Sequence, residues 1–162
     1  MTDERFREFV ARLASHLGLE VAMDQIESPL EISIDERRVI LDQDISAEQP
    51  EIVFYTFVGT IDERRELEVM RMLLEGNYLW SHTGGGTLGV NSETREVAFA
   101  YKLPVSAMPN AAAAGNVLAH FVTIAAVWAV YLQGGELELP DQDEVTLGGD
   151  YNRTSPSSFL QV

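Results

Sequence analysis

Between Leu73 and Val90 the chain reads Leu-Leu-Glu-Gly-Asn-Tyr-Leu-Trp-Ser-His-Thr-Gly-Gly-Gly-Thr-Leu-Gly-Val, and this stretch constrains everything on either side of it. Apolar residues at helical spacing run into Gly76 and Asn77, two residue types that tolerate a left-handed helix end. An aromatic pair, Tyr78 and Trp80, follows, and Gly84, Gly85 and Gly86 then allow the backbone to reverse without steric cost. What comes next reads as the start of a strand. The stretch is a joint between a helix and a sheet.

The other elements are placed by periodicity. Phe6, Phe9, Val10, Leu13 and Leu17 recur at helical spacing with Arg5, Arg7, Glu8 and Arg12 on the other side, and Gly18 can stop the turn. Leu30, Ile32 and Ile34 alternate with Glu31, Ser33 and Asp35, the period of a half-buried strand, and Val39 to Leu41 pairs back through a turn at Asp35 to Arg38. After a polar linker, Ser46 to Pro50, the run Ile52 to Val58 is aromatic and β-branched on both faces. Such a strand is central and covered on both sides, or offers one face to a partner.

Thr60 and Glu63 have the spacing of a capping box, which starts a second helix near Asp62. Its Leu67, Val69, Met70, Met72, Leu73 and Leu74 exceed one core-facing stripe, and the surplus predicts a second contact such as a dimer partner. Strands at Thr87 to Asn91 and Glu96 to Leu103 turn at Ser92 to Arg95, and Pro104 and Pro109 bracket a loop. A third helix carries Val117, Phe121, Ile124, Trp128 and Leu132 on one face. The order α-β-β-β-α-β-β-α, with hairpin-length connections and no regular βαβ alternation, predicts an α+β fold: a twisted antiparallel sheet with three helices. Residues 1–133 form this one domain. Residues 134–162, with two Gly-Gly pairs, Pro140 and six acidic residues, are expected to form an acidic, mobile tail, in which Leu137, Leu139, Val145 and Leu147 leave room for a short strand.

A formal net charge of -15 and a pI near 4.4 repel nucleic acid and anionic membranes and favour basic or neutral polypeptide partners. There is no cysteine, so neither a disulfide framework nor a thiolate metal site is available. The N-terminal residues are charged where a secretory signal needs an apolar run. Ala111 to Leu132 is uncharged and long enough to span a bilayer, but its alanine-rich first half, His120, Thr123 and the lack of flanking Lys or Arg identify it as a buried core helix.

Candidate chemistry is sparse. Gly84 to Gly89 spells G-x-G-x-x-G, yet a dinucleotide fingerprint needs a strand before the glycines and a helix after them, and here the order is inverted. His16, His82 and His120 lie in different elements without metal-ligand spacing, and His120 reads as a core histidine. His82, beside Ser81, is the one catalytic fragment, but no G-x-S-x-G elbow surrounds Ser81. Asp143 and Glu144 read as a solvated run. No catalytic residue, metal or cofactor is expected.

The ordered set Leu73, Leu74, Asn77, Leu79, Trp80, Gly86, Leu88, Gly89, Val90, Leu103, Pro104, Phe121 and Trp128 resembles the small effector chaperones of bacterial type III secretion, of the class I, CesT/Tir-chaperone-like type. The resemblance covers Leu67 to Leu132. It implies a cytoplasmic, non-enzymatic homodimer that holds the extended N-terminal segment of a secreted effector protein, keeps it soluble and delivers it to the secretion ATPase. Under it, Leu67, Met70, Leu74 and Trp80 form the dimer interface. The first helix and the following strands form the effector-binding groove, through Phe6, Val10, Leu30, Ile32, Ile34, Val39, Leu41, Val53, Tyr55 and Phe57. The rival readings are a chaperone-like regulatory or interaction domain outside secretion and a small enzyme using His82.

Overall fold

A computed structural model describes residues 3–19, 21–44, 46 and 51–139. Helix α1 spans Glu4–His16, with the Asp3 carboxylate accepting from the Arg5 N–H at its start. Strands β1 (Leu30–Ile34), β2 (Arg37–Asp44) and β3 (Glu51–Thr60) follow, then α2 (Glu66–Asn77), β4 (Thr87–Val90), β5 (Glu96–Pro104) and α3 (Ala111–Leu132). The order matches the one expected from periodicity. All neighbouring strands are antiparallel, in the spatial order β1-β2-β3-β5-β4, so the doubly apolar strand β3 is the central one.

The β1–β2 hairpin closes through two residues, Asp35 and Glu36, both with positive φ, and pairs Ile34 with Arg37. That is the two-residue turn whose twist matches the strands it joins. One face of the sheet carries Val39, Leu41, Ile52, Phe54, Val58, Val97 and Phe99, all buried, and it is the face on which α1 and α3 pack. Phe99 stacks on Phe121 of α3 at 5.1 Å between ring centroids, and Phe9 of α1 meets Phe54 edge-on at 6.2 Å. α3 is long and apolar enough to cross a membrane, but here Leu118, Phe121, Ile124, Ala125 and Trp128 are buried in the protein's core.

The start of α2 differs from the expectation. Thr60 is the last residue of β3, and the cap is Asp62, whose carboxylate accepts from the Arg64 N–H; a short 3₁₀ turn, Glu63–Arg65, precedes the helix. The aspartate lies closer to the turn than the threonine, which the sheet ladder has already claimed. Arg65 ties this end of α2 to the end of α3, donating to the Tyr131 carbonyl at 3.1 Å, lying over the Tyr131 ring and pairing with Glu68. After α3 the chain doubles back and Leu137 and Leu139 pack against the core without forming a strand among the described residues. Val145, Leu147 and the rest of the expected tail beyond Leu139 lie outside the described residues.

Candidate functional site

The joint after α2 is held from below by side chains of two other elements. Trp128 Nε1 donates to the His82 carbonyl at 2.9 Å. The Tyr101 hydroxyl lies 3.1 Å from the Thr83 carbonyl and 2.8 Å from the Gly84 carbonyl, and burial pushes its ionisation well above the ordinary tyrosine value. Gly84 and Gly85 do adopt positive φ, as the turn requires. Gly76 and Asn77 do not form the left-handed helix end that their identities suggest. Gly76 is buried within α2, where a Cβ would come 2.7 Å from the Trp128 ring, so it is glycine to admit the indole. Asn77 is right-handed, and its amide reaches the sheet: Nδ2 donates to the Leu88 carbonyl and Oδ1 accepts from the Leu88 N–H, both at 2.9 Å.

The left-handed residues are instead Leu79 and Trp80, with φ of 50° and 56°. Left-handed backbone is costly for side chains of this size, and it persists only where surroundings hold it. Its effect is to turn three large apolar groups outward, Tyr78, Leu79 and Trp80, each more than half exposed. They continue a face of α2 on which Leu67 is 67% and Leu74 71% exposed, with Met70 half-buried between them. The opposite stripe of α2, Val69, Leu73 and Gly76, is buried. Three of the four residues named for a dimer interface are therefore exposed large apolar groups.

The groove residues separate into three groups. Phe6, Val10, Val39 and Leu41 are buried in this chain's own core and present no surface. Leu30, Ile32 and Ile34 are half-buried on the core side of β1, an edge strand. Val53, Tyr55 and Phe57 lie on the other face of the sheet, which no described helix covers; Phe57 is 55% exposed and meets Tyr55 edge-on. Across the ladder Tyr55 faces Ile40 on one side and Ala100 on the other, and Phe57 faces Ala98. The small alanines leave the aromatic rings standing above the sheet. Lys102 closes one end of this face, bridging Asp44 at 2.7 Å and Glu51 at 2.8 Å, and holds the Asp44 carboxyl well below the usual carboxylate range.

The histidines make no common centre. The Ser81 hydroxyl is committed to the Glu75 carbonyl at 2.8 Å. His16 lies against Gly115. His120 is wedged between the Tyr101 ring and Gly84; burial lowers its pKa, against a weaker opposing hydrogen bond with Gly84. Its Nδ1 is buried without a partner among the described residues. Among those residues no group of three His, Asp or Glu side chains could hold a metal ion.

The lowered pKa makes a pH prediction. Because folded His120 holds its proton less tightly than the unfolded chain does, stability is full above the ordinary histidine pKa of about 6.5 and falls as pH drops through it. His120→Gln should flatten that part of the profile relative to wild type. Urea midpoints measured for both proteins between neutral and mildly acid pH check this, and parallel curves would refute it.

The sequence from residue 8 to 128, about three quarters of the chain, matches the model of the Tir chaperone protein (CesT) family. The chain belongs to the CesT family. Its members are chaperones of type III secretion, so the joint, the exposed α2 face and the open sheet face belong to a CesT-type chaperone that binds secreted effectors. No curated protein matches the sequence. Sequence reasoning missed two residues that shape this CesT chain: Ile40, which adds to the open face, and Asn77 in its reach to Leu88. Ile40 was legible as an outward position once the register of the hairpin was set. Asn77 carried no local signal, because its partner lies eleven positions away.

Proposed function

We propose that this CesT-family chain is a cytoplasmic bacterial homodimer that holds the N-terminal segment of a secreted effector in an extended form and hands it, still soluble, to the secretion ATPase. The observation that carries the reading is the pair of uncovered apolar surfaces: the α2 face ending in Tyr78, Leu79 and Trp80, and the sheet face of Ile40, Val53, Tyr55 and Phe57. Contiguous exposed apolar surface marks binding sites. The α2 face suits a second copy of the chain, since a helix stripe can meet itself about a two-fold axis.

The sheet face and the β1 edge suit the effector. Leu30, Ile32 and Ile34 are separated from Val53, Tyr55 and Phe57 by the thickness of the sheet, and the free edge of β1 lies between them. A segment that touches both groups runs round that edge, adding backbone hydrogen bonds there and apolar anchors on either side. Each anchor contributes about 1.5–3 kcal/mol when fully buried.

Tyr55→Asp and Phe57→Asp should each weaken binding of the effector segment about tenfold or more while leaving the fold intact, because both side chains face outward. The test is co-purification from the native cell, identification of the bound protein, and binding measured for these variants alongside limited proteolysis. A partner segment that is fully folded in the complex, or binding unchanged in both variants, would overturn the proposal.

A further inference from the structure

We infer that Asn77 decides which edge of the sheet accepts a partner's strand, by occupying the β4 edge and leaving β1 as the open one. The inference rests on the proposed function only in taking an added strand as part of effector binding.

A five-stranded open sheet has two edges, and each presents backbone groups to any extended chain that meets it. In antiparallel ladders, alternate residues point their N–H and C=O groups toward one neighbour and then the other. The two-residue turn at Asp35 and Glu36 makes Ile34 and Arg37 a hydrogen-bonded pair, so Ile32 and Leu30 also bond β2, and Glu31 and Ser33 point their backbone groups away from the sheet. Among the described residues nothing pairs with those groups.

The same alternation carried through β3 and β5 makes Thr87 and Gly89 bond β5 and turns Leu88 outward. Here both outward groups are taken. Asn77 supplies a donor to the Leu88 carbonyl and an acceptor to the Leu88 N–H, each at 2.9 Å, which is what a residue of a sixth strand would supply. The remaining outward residue, Val90, ends the strand and is followed at once by the turn to β5. The side chain of a primary amide is the smallest group able to do this, since it carries the donor and acceptor of a peptide unit in one plane. Asn77 can reach because α2 runs past β4 and ends there, with Gly76 drawn in against Trp128.

With one open edge, sheet-to-sheet growth can use only β1 against β1. Opening β4 permits β1 of one copy to pair with β4 of the next, a head-to-tail joint that leaves a free edge at each end for further copies unless a ring closes. Asn77→Ala should therefore form assemblies that grow with concentration beyond those of wild type in sedimentation velocity. Adding Ser33→Pro, which removes an outward donor of β1 without breaking the β1–β2 ladder, should bring the size back down. Wild type supplies an independent measurement: the Leu88 amide should exchange roughly tenfold or more slowly than those of Glu31 and Ser33, though all three sit on edges. Asn77→Asp keeps the acceptor for the Leu88 N–H and should retain part of that protection even if the alanine variant fails to fold.

A folded Asn77→Ala variant that sediments like wild type at every concentration would overturn the inference. So would growth indifferent to Ser33→Pro, or a Leu88 amide exchanging as fast as that of Ser33 in wild type. No effector is used in these measurements, so their outcome is separate from the test of effector binding.

Discussion

Replacing Trp128 by alanine should destabilise the domain by about 3–5 kcal/mol, the range for deleting a large aromatic side chain from a packed core. The indole is fully buried, stands edge-on to Tyr131 at 5.7 Å, fills the space Gly76 leaves, and donates to the His82 carbonyl. Loss of the ring therefore removes packing from α2, α3 and the joint at once and leaves a carbonyl without its donor. Trp128→Phe separates the two effects: it keeps much of the volume and drops the hydrogen bond, and should cost about 1–3 kcal/mol. Urea unfolding of the two variants gives both figures. Equal losses would mean that the hydrogen bond, and not the volume, holds the joint.

The combined substitution Leu67→Glu and Leu74→Glu should turn a dimer into a monomer without unfolding it. Both side chains are about two-thirds exposed or more, so the protomer loses little by the change. In a two-fold interface each substitution appears twice. Losing about 1.5–3 kcal/mol of burial at each of the resulting sites amounts to at least ~4 orders of magnitude in the dimer dissociation constant. Analytical ultracentrifugation at micromolar concentration is the measurement. A wild-type protein that is already monomeric there would remove the dimer from the proposed function.

Much of this architecture is legible in the sequence because strands and helices write their periods into it. The alternation at Leu30 to Ile34, the stripe from Phe6 to Leu17 and the broad apolar face of α3 all identify elements that the structure contains. What periodicity does not say is which face a neighbour will cover. Val39 and Leu41 read like candidates for a groove, yet both are buried in the core; Val53, Tyr55 and Phe57 read the same way and stand on the open side. The difference lies in the register between strands and in the path of two helices distant in sequence.

The joint shows a second kind of limit. A glycine is read first as a residue that frees the backbone, and Gly76 before Asn77 reads as a helix stop. In the fold Gly76 is helical, and what matters is the side chain it lacks. A glycine kept for its torsion angles and one kept for its small volume are written with the same letter. Only the partner, Trp128, tells them apart, and that partner lies far along the chain. Likewise Leu79 and Trp80, and not the glycine before them, take the left-handed conformation, just ahead of the carbonyls of His82 and Thr83 that Trp128 and Tyr101 hold.

The division of apolar groups between the two sides of the sheet also has a mechanical meaning. On the proposed reading, a ligand that rounds the β1 edge is attached at points strung out along its length, some beside Ile32 and some beside Tyr55. A pull on one end of such a ligand loads the contacts one after another, like tape lifted from a corner. The force at any moment works against a single anchor, although the total work of release is the sum over all of them. A chaperone built this way can grip its cargo for long periods in solution and still yield it to a machine that pulls from one end.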